Sequence, residues 1–118
     1  MSSASLAGYK ILLIEEMPVV ALDVQATLEA AGAIVFWRRL HEAERVLREQ
    51  CFSAAILDLP LHSDDHRPIA RALRKRGVPF LFHSTHAPKD ATTVRGAPVM
   101  LKPARPKDLV KAVALLVR

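Results

Sequence analysis

Three short apolar runs in this chain each end in a polar residue of a different kind. Ile11-Leu12-Leu13-Ile14 leads into Glu15-Glu16, Ala54-Ala55-Ile56-Leu57 into Asp58, and Val99-Met100-Leu101 into Lys102-Pro103, with amphipathic stretches between them. Runs of this length without alternation read as strands buried on both faces, which requires a parallel sheet covered by crossover helices. In an open sheet of that kind the carboxyl ends of neighbouring strands converge on one crevice, where the strand order reverses. Three carboxylates and one ammonium would meet there. That set suits a hard divalent cation together with a phosphoryl group.

With 118 residues, the chain supports a single core that buries roughly two thirds of the unfolded surface. Hydrophobic residues make up 51% and charged residues 25%, and the longest apolar stretch, Ala112 to Val117, is far too short to span a bilayer. Residues 1–8 lack a basic segment and an apolar segment and read as a flexible lead, so secretion is not indicated and a cytoplasmic location is expected. Cys51, the single cysteine, has no partner for an internal disulfide and reads as a small buried apolar residue at the end of a helix. The net charge is +5, with Arg67, Arg71, Arg74, Lys75 and Arg76 on one predicted helix. Solvated helix faces account for such arginines. Nucleic-acid binding is disfavoured, because no recognition motif accompanies the charge and aromatic residues are only 5%.

Periodicity predicts strands over 9–15, 33–37, 54–58, 78–83 and 97–101, and helices over 17–31, 40–51, 66–76, weakly over 88–94, and 105–117. Pro18 suits the first turn of the first helix, and Gly32 and Gly77 suit left-handed positions after the first and third helices. Asp64 or Asp65 can cap the third helix, whose inward face is Ile69, Ala70 and Leu73. The segment between Phe82 and Val99 holds prolines, Gly96 and β-branched Thr92, Thr93 and Val94, which leaves room for a short or irregular fourth helix only. The stripe Leu109, Val110, Val113, Leu116 and Val117 is wide for a helix covering one sheet face, so part of it is a candidate homodimer surface.

Mg2+ takes one or two protein carboxylates, waters and a phosphoryl oxygen, and Glu15, Glu16 and Asp58 can supply the carboxylates. Asp58 is the candidate phosphoryl acceptor, Lys102 the neutralising cation, and Ser84, with Thr85 as the alternative, a hydroxyl donor to a phosphoryl oxygen. Each feature also has a plainer explanation: an acidic pair can cap a helix, an aspartate can start a turn, and a lysine can be solvated. Their joint occurrence in order argues for the site. His62, His66, His83 and His86 fall on loops at the same end as Asp58. With Asp64 and Asp65 they could bind a transition metal, but solvated loop histidines are the expectation.

Taken together, these residues resemble the receiver domain of bacterial two-component response regulators, in its stand-alone form, over residues 9–118. That family carries an acidic pair after the first strand, the phosphoacceptor aspartate after the third, Ser or Thr after the fourth, and Lys-Pro after the fifth. The resemblance implies a flavodoxin-like, doubly wound parallel sheet of order 2-1-3-4-5. It implies Mg2+ held by Glu15, Glu16, Asp58 and the backbone carbonyl of Pro60. It also implies a cis Lys102–Pro103 bond, and phosphate received by Asp58 from a histidine kinase or histidine phosphotransfer protein. Output would pass by protein contact to a downstream partner, in a signalling module rather than an enzyme. Three departures stand out: Glu16 where Asp is usual, Val99 where a switch aromatic is usual, and His83 where the stand-alone subclass has Ala. They support an alternative, a degenerate receiver that binds partners without phosphorylation. A haloacid-dehalogenase-type phosphohydrolase is rejected, because Pro60 stands where a second aspartate would be needed.

Overall fold

The computed structural model describes residues 5–59, 66–84, 93–94 and 96–118. Its elements are β1 (Lys10–Glu15), α1 (Pro18–Ala30), β2 (Ile34–Arg38), α2 (Leu40–Glu49) and β3 (Ala54–Asp58). These are followed by α3 (Arg67–Lys75), β4 (Phe80–Ser84), β5 (Thr93–Val94), β6 (Ala97–Leu101) and α4 (Pro106–Leu116). The sheet order is β2-β1-β3-β4-β6-β5. The pairings among β2, β1, β3, β4 and β6 are all parallel, and β5 adds a two-residue antiparallel arm at the β6 edge. The five parallel strands therefore run in the predicted 2-1-3-4-5 order.

Strand pleating divides the interior in two. Successive side chains point to opposite faces, so Ile11, Leu13, Ala54, Ile56 and Leu81 face one layer with Ala21, Val24 and Leu28 of α1 and Leu109, Val113 and Ala114 of α4. Leu12, Ile14, Ala55, Leu57, Phe80 and Phe82 face the other, with Ala43, Val46 and Leu47 of α2 and Ile69, Ala70 and Leu73 of α3. Pro18 opens α1, and Gly32 follows it at φ +98°. A Cβ on Gly32 would lie 2.9 Å from the Ala7 Cα, so this glycine serves both the backbone turn and the close approach of the N-terminal segment.

That close approach corrects one expectation. Residues 5–8 are not a free lead: Leu6 is fully buried, the Leu6 N–H donates to the Ala31 carbonyl (2.9 Å) and the Gly8 N–H to the Gly32 carbonyl (3.2 Å). Leu6 fills the α1 end of its layer, a role decided by packing over a distance in sequence that no local pattern reports. The expected helix over 88–94 is corrected at its end, where Thr93–Val94 is extended and pairs with Ala97–Pro98 around Gly96 at φ +81°. The rest of that predicted helix lies outside the described residues. Cys51 is exposed rather than buried, since α2 stops at Glu49 and Gln50 turns extended, handing the inward position to Phe52. Two histidines are also corrected. His66 and His83 are buried, His66 with its ring edge-to-face on Phe82 at 5.1 Å, while His62 and His86 lie outside the described residues. Among the described residues, no helix is long and apolar enough to cross a membrane.

Candidate functional site

Glu15 and Asp58 are the last residues of β1 and β3, and His83 is the penultimate residue of the adjacent β4, at the carboxyl edge of the sheet. They share one face by alternation: Glu15 follows Leu13, Asp58 follows Ile56 and His83 follows Leu81, all on the α1 and α4 side. Register puts Glu15 directly opposite Asp58. Lys102 enters just beyond β6, tied by its backbone N–H to the Ser84 carbonyl at 2.8 Å and followed by a cis bond to Pro103.

The Lys102 ammonium donates to Asp58 Oδ1 and lies 3.6 Å from Glu15 Oε1. His83 Nδ1 stands 3.0 Å from Asp58 Oδ2, with both side chains almost wholly buried. Burial works to raise the Asp58 carboxyl, but the hydrogen bonds from His83 and Lys102 outweigh it and hold the group below the usual carboxylate range. Glu15 goes the other way. Burial, reinforced by the Asp58 charge, pushes its carboxyl up to about 6 against the bond from the Met17 N–H. Of the two facing carboxyls, Asp58 keeps its charge and Glu15 is the first to take a proton.

The second residue of the acidic pair is not brought to this cluster. Glu16 is exposed, and its Oε2 accepts the backbone N–H of Leu40 at 2.6 Å, at the first turn of α2. β1 ends at Glu15 and the chain bends at Glu16, so the second carboxylate leaves the strand end and turns toward the start of α2. Glu15 also has a structural duty, since its Oε2 accepts the Met17 N–H (2.9 Å) at the start of α1. The residue that faces Asp58 across the strand pair thus also anchors the turn into α1. The Trp37 indole N–H donates to the Glu15 carbonyl at 2.8 Å and fixes this end of β1 to β2.

Ser84 is buried at the end of β4. Of the β4 side chains, the one described against Asp58 is His83. Thr85 and Pro60 lie outside the described residues. The expectation of a solvated loop histidine fails at His83, as it does at His66. A signal for it exists: Phe80-Leu81-Phe82 is a fourth apolar run ending in a polar residue, and His83 falls on the same alternation parity as Asp58.

The donor set can be weighed for a cation from the geometry alone. Glu15 Oε1 is buried without a hydrogen-bond partner among the described residues, and it faces Asp58 across the strand pair. Two buried carboxylates with an unsatisfied oxygen are hard donors of the kind a small divalent cation takes. The fit rests on Glu15 and Asp58, without Glu16.

Comparison with protein-family models and with curated proteins finds no match. Solved structures do match in fold. A response regulator receiver protein from Sinorhizobium medicae superposes with a TM-score of 0.80 at 24% identity, covering 92% of this chain and 94% of its own. The receiver domain of a Pseudomonas aeruginosa sensor histidine kinase, described with magnesium coordinated in its active-site cleft, gives 0.78 at 23% identity, covering 94% and 98%. The BeF3-activated receiver domain of RstA from Klebsiella pneumoniae gives 0.79 at 24%, covering 92% and 98%. At this identity the likeness is one of fold: the chain has the flavodoxin-like receiver-domain fold over nearly its whole length.

Proposed function

We propose that this protein is a phosphoacceptor receiver, in which Asp58 takes a phosphoryl group from the phosphohistidine of a kinase or phosphotransfer protein. The observation that carries the reading is the state of Asp58: a buried carboxylate at a strand end, held ionised by Lys102 and His83 beside a second buried carboxyl. An Asp58 oxygen attacks phosphorus, the phosphorus–nitrogen bond breaks, and its electron pair returns to the donor imidazole. Lys102 stays within reach of the added negative charge. Glu15 and Asp58 are the residues that would hold Mg2+, which when bound offsets phosphoryl charge as nucleophile and phosphate approach. The magnesium described in the cleft of the Pseudomonas aeruginosa receiver supports that assignment. The role of the Pro60 carbonyl, like that of the Ser84 hydroxyl, rests on the family resemblance. The module signals from the cytoplasm through protein contacts and is not a catalyst with a substrate of its own.

Two observations favour the second reading, a receiver that works without phosphorylation. Glu16 is committed to α2 and both Asp58 oxygens already have donors. Intact-mass measurement after treatment with acetyl phosphate, with and without Mg2+, separates the two. The phosphoacceptor reading expects one added phosphoryl group that depends on Mg2+ and disappears in Asp58→Asn. No mass increase under any condition selects the phosphorylation-independent module.

A further inference from the structure

We propose that His83 is a positioning residue that shortens the life of the phosphorylated state by stabilising the Asp58 carboxylate as the phosphoryl group leaves; this rests on Asp58 being the phosphoacceptor. The contact is specific. His83 Nδ1 and Asp58 Oδ2 are 3.0 Å apart and both side chains are more than nine-tenths buried. An ionised carboxylate only accepts hydrogen bonds, so Nδ1 carries the hydrogen. On the far side of the ring, Nε2 is buried with no partner among the described residues. The bond to Asp58 is thus the one described polar contact of this imidazole, and in a buried setting such a bond holds the carboxyl plane in place.

The sign of the effect follows from the charge on Asp58. In the free state Oδ2 belongs to a full carboxylate, whereas in the phosphorylated state it is the carbonyl oxygen of a mixed anhydride. A donor facing an ion makes about twice as strong a bond as one facing a neutral carbonyl. When water attacks phosphorus, the bond between phosphorus and the Asp58 oxygen breaks and its electron pair returns to the carboxyl group. The attacking water loses its proton to solvent, and inorganic phosphate departs. The transition state for this transfer is loose, with much of that charge already on the leaving carboxylate. His83 therefore binds the transition state better than the phosphorylated ground state, which is the condition for accelerating departure. Transfer of the phosphoryl group onward to an acceptor imidazole breaks the same bond and gains in the same way. Such a receiver suits passing phosphate on more than storing it.

The test compares wild-type protein with His83→Leu, which fills similar space without a donor, and His83→Asn, whose side-chain amide restores a donor near Nδ1. Each is phosphorylated with acetyl phosphate and Mg2+, desalted, and followed by intact mass as the phosphoryl group is lost. The expected result is a lifetime about fivefold longer for His83→Leu, from the difference between charged and neutral hydrogen bonds, with His83→Asn close to wild type. Equal lifetimes in wild type and His83→Leu overturn the inference, as does an Asn variant that behaves like Leu. Failure of wild-type Asp58 to accept a phosphoryl group at all is a different result: it removes the proposed function, and the role of His83 falls with it. A second measurement needs no variant. The His83 ring N–H proton, read by nitrogen-edited NMR in wild type, should move upfield when beryllofluoride is added with Mg2+, because its acceptor loses charge. An unmoved resonance with beryllofluoride bound argues against the role.

Discussion

Glu15 and Asp58 face each other across β1 and β3 and are pushed in opposite directions, which makes them a source of pH-dependent stability. Glu15 is raised from 4.5 to about 6, so the folded protein holds this proton more tightly than the unfolded chain does. Its contribution is fully present below pH 4.5 and is lost as pH rises through about 6. Asp58 is lowered, so its contribution is present above its ordinary value and is lost only as pH falls through its depressed one. Urea unfolding in the presence of chelator should show wild type losing about 1 kcal/mol relative to Glu15→Gln between the two Glu15 values, after allowance for screening at the open end of the cleft. An identical pH slope in the two proteins would remove Glu15 as the source. Lys102→Met should cost about 2 kcal/mol near neutral pH, because it leaves two almost buried carboxyls without their ammonium. The loss should shrink on acidification as Glu15 takes its proton, and parallel denaturant titrations would check both the size and the trend.

Among the elements, α2 depends on a residue that precedes it by a whole helix and strand. Glu16 Oε2 receives the first N–H of that helix, one of the donors a helix cannot satisfy internally. Glu16→Ala should lower stability by about 1 kcal/mol, in the range of a lost N-terminal cap. The same variant should leave Mg2+ affinity within about a factor of two, while Glu15→Ala should abolish binding, since Glu15 is the one of the pair that faces Asp58. Calorimetric titration of both variants decides this. A large loss of Mg2+ binding in Glu16→Ala would return that residue to the cleft. The far end of α1 is similarly held from a distance, by residues 5–8 lying against Ala31 and Gly32. Gly32→Ala should cost about 2 kcal/mol from the positive φ and the clash with Ala7.

On the scale of the whole molecule, one sheet separates two apolar layers, and each layer needs all of its contributors. Leu6→Ala should destabilise the protein by about 3 kcal/mol, as expected for a fully buried leucine whose cavity the rigid sheet cannot close. A thermal melt unchanged by this substitution would show that the N-terminal segment is dispensable. The parallel sheet, the crossover helices and the gathering of Glu15, Asp58 and Lys102 were legible in the chain. They depend on short apolar runs and on the convergence of strand ends, both of which are local or topological properties. The inward face of α3 and the left-handed Gly32 were legible for the same reason, since helical period and chirality act over a few residues. The remaining features belong to contacts between distant segments. Burial of Leu6, exposure of Cys51, the turning of Glu16 to α2 and the seating of His83 on Asp58 were all decided by tertiary packing. Sequence alone determined that the apolar runs form one parallel sheet whose ends gather Glu15, Asp58 and Lys102. Only the folded sheet, with its register and its two faces, decided which further side chains at those ends turn toward Asp58 and which turn away, because the face a side chain takes is set by pairing across the whole core and not by its neighbours in the chain.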